Sequence, residues 1–211
     1  HPKFVNFVTK LKNLGYDALK SRLTKAGLSD EVAENFCKKV GVTEEVKAIS
    51  NTRDLFNRLA KTIIKGNSVV KSQKEILEEI TERKIVNPYN FAFEIKEIVL
   101  SEDAYFIRVH GEKNQVGRWL VSIEDFKGFS SIDEYISKTA LPIIDEGLVV
   151  KPNKVSLVQV PKGTTIRQSV ARPQDWPGQG HVSGGATQYE IRGAVEINWY
   201  KTIGTYSDLK K

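Results

Sequence analysis

A glycine-rich loop that leads into a predicted strand, residues 176–191, is the segment that most constrains the fold. The loop holds four glycines within eight residues: Gly178, Gly180, Gly184 and Gly185. Glycine gives the backbone access to positive φ angles and lets it approach other groups closely. The chain is therefore expected to turn sharply here before it enters the next element.

The strand that follows this loop carries two polar side chains on one face. Residues 187–191 alternate in the manner of a strand, which places Gln188 and Glu190 on one side and Tyr189 on the other. A loop followed by a rigid element that presents polar groups is a common way to build a site. An ordinary glycine-rich hairpin loop that enters a strand is the alternative interpretation.

The two parts of the chain differ in their apolar periodicity. Residues 1–86 carry apolar residues at helical spacing, glycine stops and the capping-box sequence Ser72-Gln-Lys-Glu75, which together predict a helical bundle. Residues 87–211 contain segments typical of strands, among them 104–110, 154–160 and 194–200. The predicted fold class is α+β, with an N-terminal helical bundle followed by a mostly antiparallel β domain with one or two helices.

Several kinds of site are excluded by composition and motifs. The single cysteine, Cys37, rules out an internal disulfide and a cysteine-based metal cluster, and we expect it to be a small core residue. The three histidines lack the spacing of metal ligands, so no metal is predicted. The sequence contains no phosphate-binding loop, dinucleotide fingerprint or nucleophile elbow, and no stretch approaches the ~20 apolar residues of a membrane helix.

The net charge of +6 is concentrated in the first part of the chain. Residues 1–100 hold 18 Lys and Arg against 13 Asp and Glu, whereas residues 101–211 hold 14 against 13. A basic half favours an anionic surface such as nucleic acid or lipid, although a solvated helical surface explains it equally well. The second half lacks the basic excess of a dedicated nucleic-acid binder.

Five short motifs occur in a fixed order in the second half of the chain. They are Tyr105-Phe-Ile-Arg-Val-His-Gly111, Gly117-Arg-Trp-Leu120, Ala140-Leu-Pro142, Val160-Pro-Lys-Gly-Thr164 and Gly184-Gly-Ala-Thr-Gln-Tyr-Glu190. In this order and spacing they resemble the necrotizing-toxin-type (TNT) NAD glycohydrolases, which are C-terminal effector modules of bacterial secreted toxins. Ala186 replaces a glycine of the commoner Gly-Gly-Gly-x-Gln pattern of that family.

This resemblance implies hydrolysis of NAD or NADP, as substrate and not as cofactor, at the nicotinamide–ribose bond. The catalytic candidates that it implies are Gln188, Arg108 and Glu190. The candidates for binding the dinucleotide are Arg118, Trp119, Tyr189, Gly184 and Gly185. Because all five motifs lie after residue 100, the resemblance also predicts that residues 100–211 carry the activity alone.

The family also implies a biological setting. Such a module is secreted or displayed on the cell surface as part of a larger protein, acts in the cytoplasm of a target cell and is neutralised by a cognate immunity protein. The helical part, residues 1–86, resembles in layout the translocation domain of contact-dependent growth inhibition toxins, which engages an inner-membrane receptor. The absence of methionine agrees with a piece of a longer protein.

Three other functions stay open at the level of sequence. The spacing of Gln188 and Glu190 also matches the Gln-x-Glu pair of ADP-ribosyltransferases. A metal-independent tRNA nuclease could use His110 or His181 as acid and base with Lys or Arg partners, and nucleic acid would be a partner only in that case. A binding module without catalysis is the third alternative.

Overall fold

A computed structural model describes residues 16–39, 55, 58–60, 63–145 and 148–210. The chain divides into two compact units, His1–Leu55 and Phe56–Lys211. Its class is mixed α+β, with a mostly antiparallel sheet and with helices that lie mostly towards the N-terminus, and the predicted fold class is thereby confirmed.

The first unit contains two helices with described bounds, α1 (Tyr16–Lys25) and α2 (Asp30–Lys39). Three side chains are buried there: Leu19, Ala33 and Cys37, the last as a core residue as expected. Residues 1–15 and 40–54, which belong to the predicted helical bundle, lie outside the described residues. Within the described ranges, no helix has the length and apolar character needed to cross a membrane.

The second unit is built on an eight-stranded sheet with the order β1-β2-β8-β11-β4-β3-β7-β12, in which every described pair is antiparallel. In chain order the strands of this unit are β1 (Gly66–Val70), β2 (Lys96–Leu100), β3 (Ala104–His110), β4 (Trp119–Ser122), β5 (Ile144–Asp145), β6 (Leu148–Val149), β7 (Lys154–Val160), β8 (Thr165–Val170), β9 (Gln174–Trp176), β10 (Gly180–Val182), β11 (Thr187–Arg192) and β12 (Tyr200–Thr205). Strands β5 and β6, and likewise β9 and β10, form separate two-stranded sheets. The helices are α3 (Gln73–Arg83), α4 (Ile123–Gly128), α5 (Ile132–Lys138) and α6 (Tyr206–Leu209).

Helix α3 belongs to the second unit, although the sequence placed it in a domain ending at residue 86. Its N-terminus carries the predicted capping box, in which the Ser72 amide donates to Glu75 Oε2 over 2.8 Å and the Glu75 amide donates to Ser72 Oγ over 3.3 Å. Its apolar side chains Ile76 and Ile80 pack in one cluster with Tyr89. Strand β1 pairs with β2 at one edge of the sheet. The segment before residue 86 therefore contributes both an edge strand and helix α3 to the second unit.

Alternation along the central strands sends side chains into two separate cores. Phe106 on β3 packs with Tyr189 on β11, their ring centroids 5.0 Å apart. Its neighbour Ile107 packs in the other cluster, with Phe126 and Tyr135. Strands were predicted over 104–110 and 154–160 and are present as β3 and β7.

The prediction of a strand over residues 194–200 is wrong. A 3-10 helix occupies Ile197–Trp199, and β12 begins only at Tyr200. Ile197 is 70% exposed, so the apolar alternation of this stretch does not mark a buried face. The strand itself continues through Gly204, where the pairing with β7 shifts its register.

Residues 56–211 are expected to fold without the first unit, whereas residues 100–211 are not. The shorter fragment lacks β1, α3 and all but the last residue of β2, so strand β8 loses one of its two neighbouring strands and the buried Arg167 loses Glu79 and Glu97. Leaving a buried charge unpaired costs about 3–5 kcal/mol. Thermal unfolding followed by circular dichroism checks this, and a cooperative transition of residues 100–211 at the temperature of residues 56–211 would contradict it.

Candidate functional site

A cavity of about 530 Å³ lies within the second unit. Strands β3, β4 and β11 contribute to its wall, together with the segments 83–88 and 139–142. Its polar and aromatic lining side chains include Arg83, Arg108, Asn114, Trp119, Trp176 and Gln188. This volume is within the range of sites that hold small molecules, about 300–1,000 Å³. The cavity thus brings together three of the residues singled out from the sequence.

Arg108 reaches the cavity with its guanidinium fixed by backbone carbonyls. It donates to the oxygens of Gln115 over 3.0 Å, Trp119 over 3.1 Å and Asn114 over 3.3 Å. Burial lowers the pKa of Arg108 from its usual value. Among the side chains that the structure describes, no carboxylate lies within ion-pair distance of it. Its positive charge is therefore available to an anion in the cavity.

Gly117 makes room for this guanidinium. A Cβ atom at residue 117 would lie 2.4 Å from Cζ of Arg108 and 2.4 Å from one of its Nη atoms. Any larger residue would displace the tip of the arginine, which is the flexible end of a long side chain. Gly117 thus acts on the cavity through Arg108, and it is one of the residues in the sequence motifs.

Gln188 is held in one orientation by its amide nitrogen. Nε2 donates to the Pro88 carbonyl over 3.0 Å and to Ser169 Oγ over 3.3 Å. Its Oε1 atom accepts no hydrogen bond from the described residues. Every fully buried side-chain nitrogen or oxygen atom in that part of the chain has a hydrogen-bond partner, so an oxygen without one is not fully buried. Oε1 is therefore accessible from the cavity that Gln188 lines.

Two tryptophans supply the aromatic part of the lining. The Trp119 ring lies 5.9 Å from the Tyr89 ring, centroid to centroid. Trp176 donates from Nε1 to the Ala140 carbonyl over 3.1 Å. Both rings are only partly buried, so each can offer apolar surface to a flat ring of a ligand.

Glu190 is not exposed to the cavity but lies at the centre of a buried ion network. Its carboxylate is 0% exposed. Arg83 donates to Oε1 over 3.0 Å, Arg192 donates to Oε2 over 2.9 Å, and the hydroxyl of Tyr89 donates to Oε2 in a short bond. A buried carboxylate is tolerated only with such partners. Among the described residues, every hydrogen bond to the Glu190 carboxylate thus comes from a neighbouring side chain of the network.

Two further carboxylates, those of Glu79 and Glu97, belong to the same network. Glu79 on α3 bonds Arg83, Arg167 and Arg192, while Glu97 on β2 bonds Arg167. Burial raises the pKa of Glu79, but hydrogen bonds from Arg167 and Arg83 outweigh it and lower this pKa to about 2. Three arginines and three carboxylates therefore balance one another, and the network ties α3 and β2 to strands β8 and β11.

Four residues predicted to bind the dinucleotide lie elsewhere. Arg118 donates to the Ile191 and Gly193 carbonyls, and Tyr189 is buried in the core beside Phe106. The remaining two are the glycines of the loop, Gly184 and Gly185. None of these four is in the lining of the cavity that the structure describes.

The two loop glycines have structural tasks. Both have positive φ angles, 60° and 97°. Their amides donate to the carbonyls of Ser137 and Ala171, over 2.9 and 2.8 Å, so these donors are not free for a phosphate. A Cβ at Gly184 would lie 2.5 Å from the Ala171 oxygen, which explains why the loop needs glycine there.

The histidines do not meet at the cavity. His110 is buried and bonds the Gly111 carbonyl and Ser156 Oγ, and burial lowers its pKa. His181 is exposed and pairs with Asp175 over 2.9 Å. Neither lines the cavity. Within the described residues no cluster of His, Cys, Asp or Glu could hold a metal ion.

The sequence analysis does not identify Arg83, which lines the cavity, or Tyr89, which belongs to the network around Glu190. Arg83 lies 107 positions before its partner Glu190, in the part of the chain that the sequence predicts to be a separate helical domain. No local spacing signals such a pair. Only the capping box indicated that α3 is a stable helix, and it does not indicate where that helix docks.

Replacing Gly117 by alanine is expected to weaken anion binding in the cavity while leaving the fold intact, because the new methyl group displaces the Arg108 guanidinium. Binding of inorganic pyrophosphate, measured by isothermal titration calorimetry, is expected to fall about tenfold. Gly128→Ala is the matched control, since nothing lies within 4 Å of a Cβ at that position. The same loss on an Arg108→Lys background would contradict a mechanism acting through Arg108.

Comparison with models of known protein families, with curated proteins and with solved structures gives no match to this chain. The resemblance to the TNT enzymes therefore rests on the five short motifs between residues 105 and 190.

Proposed function

We propose that the second unit hydrolyses NAD or NADP at the bond between nicotinamide and ribose. The observation that carries the proposal is the lining of the cavity, which combines the uncompensated charge of Arg108, the free Oε1 of Gln188 and two partly exposed tryptophans. An anion, a polar ribose and flat rings are the three parts of a dinucleotide. The described lining contains no Asp or Glu that would repel it.

The pyrophosphate is the natural partner of Arg108. A guanidinium presents donors in a planar fork and remains charged when buried. Three backbone carbonyls hold this one in place, so little side-chain entropy is lost when a phosphate arrives. Trp119 and Trp176 then offer surfaces against which nicotinamide or adenine can stack.

The reaction needs no acid for the leaving group. Water adds to C1′ of the ribose, the bond from C1′ to the nicotinamide nitrogen breaks, and nicotinamide departs as a neutral molecule with the bonding electron pair. The proton of the attacking water passes to solvent, and ADP-ribose, or its 2′-phosphate from NADP, is the other product. Charge develops on the ribose as in glycoside hydrolysis, so the main tasks of the site are to orient water and to stabilise that charge.

Gln188 is suited to orienting the water or a ribose hydroxyl. Its two hydrogen bonds from Nε2 fix the amide plane, and Oε1 is left as an acceptor within the cavity. A preorganised acceptor of this kind needs no rearrangement in the transition state. We therefore assign the central role to Gln188 and the anion-binding role to Arg108.

The geometry favours hydrolysis over the two enzymatic alternatives. ADP-ribosyl transfer of the Gln-x-Glu type needs an accessible glutamate, whereas Glu190 is 0% exposed and bound by Arg83, Tyr89 and Arg192. A nuclease that uses His110 or His181 with Lys or Arg partners needs that histidine at the site, and neither histidine lines the cavity.

The biological setting follows from the family resemblance and is part of the same proposal. We infer that the chain is the effector part of a larger, secreted or surface-displayed bacterial toxin of the contact-dependent growth inhibition type. Its site of action would be the cytoplasm of the target cell, and a cognate immunity protein would neutralise it. The helical segment would act in translocation through an inner-membrane receptor.

The Gln188→Ala variant is expected to lose turnover by about two orders of magnitude, equivalent to ~3 kcal/mol of transition-state stabilisation. The measurement is nicotinamide release from NAD and NADP by the full chain, with kcat and KM determined separately. The loss should fall mainly on kcat, because the interaction with water strengthens in the transition state.

Gln168→Ala is the matched control for this variant. Gln168 lies on the adjacent strand β8 and faces Tyr189, on the side opposite Gln188. A folded Gln188→Ala variant with the turnover of Gln168→Ala would remove the central residue of the proposal. Cleavage of total tRNA by a chain that releases no nicotinamide would replace the hydrolase with the nuclease.

A further inference from the structure

Helix α3 brings a second arginine to the wall of the cavity. Arg83 is one of the lining residues, and its side chain is 31% exposed. We propose that Arg83 is a second anion-binding residue of this site, and that Glu79 and Glu190 act as positioning residues that hold its guanidinium in the wall. The proposal rests on the function proposed above in taking the anion to be the pyrophosphate of a dinucleotide.

The hydrogen bonds of Arg83 leave donors for a ligand. Nη1 donates to Glu79 over 2.9 Å and Nη2 donates to Glu190 over 3.0 Å. A guanidinium has five N–H groups, so three remain once these two bonds are made. Because the side chain lines the cavity and is partly exposed, these remaining donors can reach an anion there. Two arginines can then share the two phosphates of one pyrophosphate.

The carboxylates fix the position of Arg83 more firmly than packing alone could. An arginine side chain loses rotamer entropy when it is immobilised. Here that loss occurs on folding, because Glu79 is itself held by Arg167 and Glu190 by Tyr89. Glu190 therefore acts on the ligand through Arg83 and touches none of the reacting atoms.

The chain offers an unusually close control in Arg192. Like Arg83, it donates to both Glu79 and Glu190, over 2.6 and 2.9 Å, and it is similarly exposed at 22%. Unlike Arg83, it is not in the described lining of the cavity. Removing either arginine takes one cation from the same two carboxylates, so the two changes should cost similar stability. Only one of them removes donors from the cavity.

The test is binding of inorganic pyrophosphate to the full chain, measured by isothermal titration calorimetry on the Arg83→Gln and Arg192→Gln variants. We expect Arg83→Gln to weaken binding by about tenfold or more and Arg192→Gln to change it by less than about twofold. Their thermal unfolding temperatures should be lowered to a similar extent. Arg83→Lys, which keeps the charge but not the fork, should lie between wild type and Arg83→Gln.

Equal losses in the Arg83→Gln and Arg192→Gln variants would overturn the proposal, because Arg83 would then act only through stability. Absence of pyrophosphate binding by the wild type would also overturn it. If Arg83→Gln does not fold, the comparison of Arg83→Lys with Arg192→Lys decides, and equal affinities again count against it. Pyrophosphate binding through Arg83 without nicotinamide release from NAD would uphold this site and reject the hydrolase.

Discussion

The buried carboxylate of Glu190 is the constraint on which the arrangement of the second unit depends. A carboxylate without solvent contact needs cationic or hydroxyl partners, and here they come from three separate segments: Arg83 on α3, Tyr89 beyond it, and Arg192 on β11 itself. Glu79 and Glu97 then compensate the extra arginine charge. The fold of residues 66–99 is thereby joined to the strand that carries Gln188.

Strand β11 belongs both to this network and to the wall of the cavity, because it carries Glu190 and Gln188 two positions apart. Side chains two residues apart lie on the same face of a strand, yet these two have different surroundings. Gln188 lines the cavity with a free oxygen, whereas Glu190 is enclosed by arginines and tyrosine. Gln188 is hydrogen-bonded to the Pro88 carbonyl, and Arg83 to Glu79, so both cavity residues are held by groups in the segment from residue 79 to residue 88.

Much of the sheet could be predicted because its strands have a clear local signal. The alternation of β3 and β7 and the capping box of α3 are short-range patterns, and each led to the right element. The place of α3 could not be predicted, because its docking depends on ion pairs with distant partners. Glu79 on this helix pairs with Arg167, 88 positions later, and with Arg192, 113 positions later. Likewise β1 is an exposed edge strand, and an edge strand without a buried face has no apolar alternation to reveal it.

Only part of the candidate site could be predicted from the sequence, for a similar reason. Arg108 and Arg118 each lie within one of the short motifs, and sequence alone could not choose between them as the residue that binds the pyrophosphate. The choice depends on which loop carbonyls each one meets: those of residues 114, 115 and 119 hold Arg108 at the cavity, while Arg118 bonds Ile191 and Gly193. Gln188 was identifiable because the strand register follows directly from a period of two.

The most direct test of the central claim is a crystal structure of the Gln188→Ala variant with intact NAD bound. The account predicts the pyrophosphate within hydrogen-bond distance of Arg108, the nicotinamide ribose beside residue 188, and one flat ring against Trp119 or Trp176. A dinucleotide bound outside this cavity, or one whose nicotinamide ribose lies far from residue 188, would contradict the assignment of the cavity as a site of NAD hydrolysis.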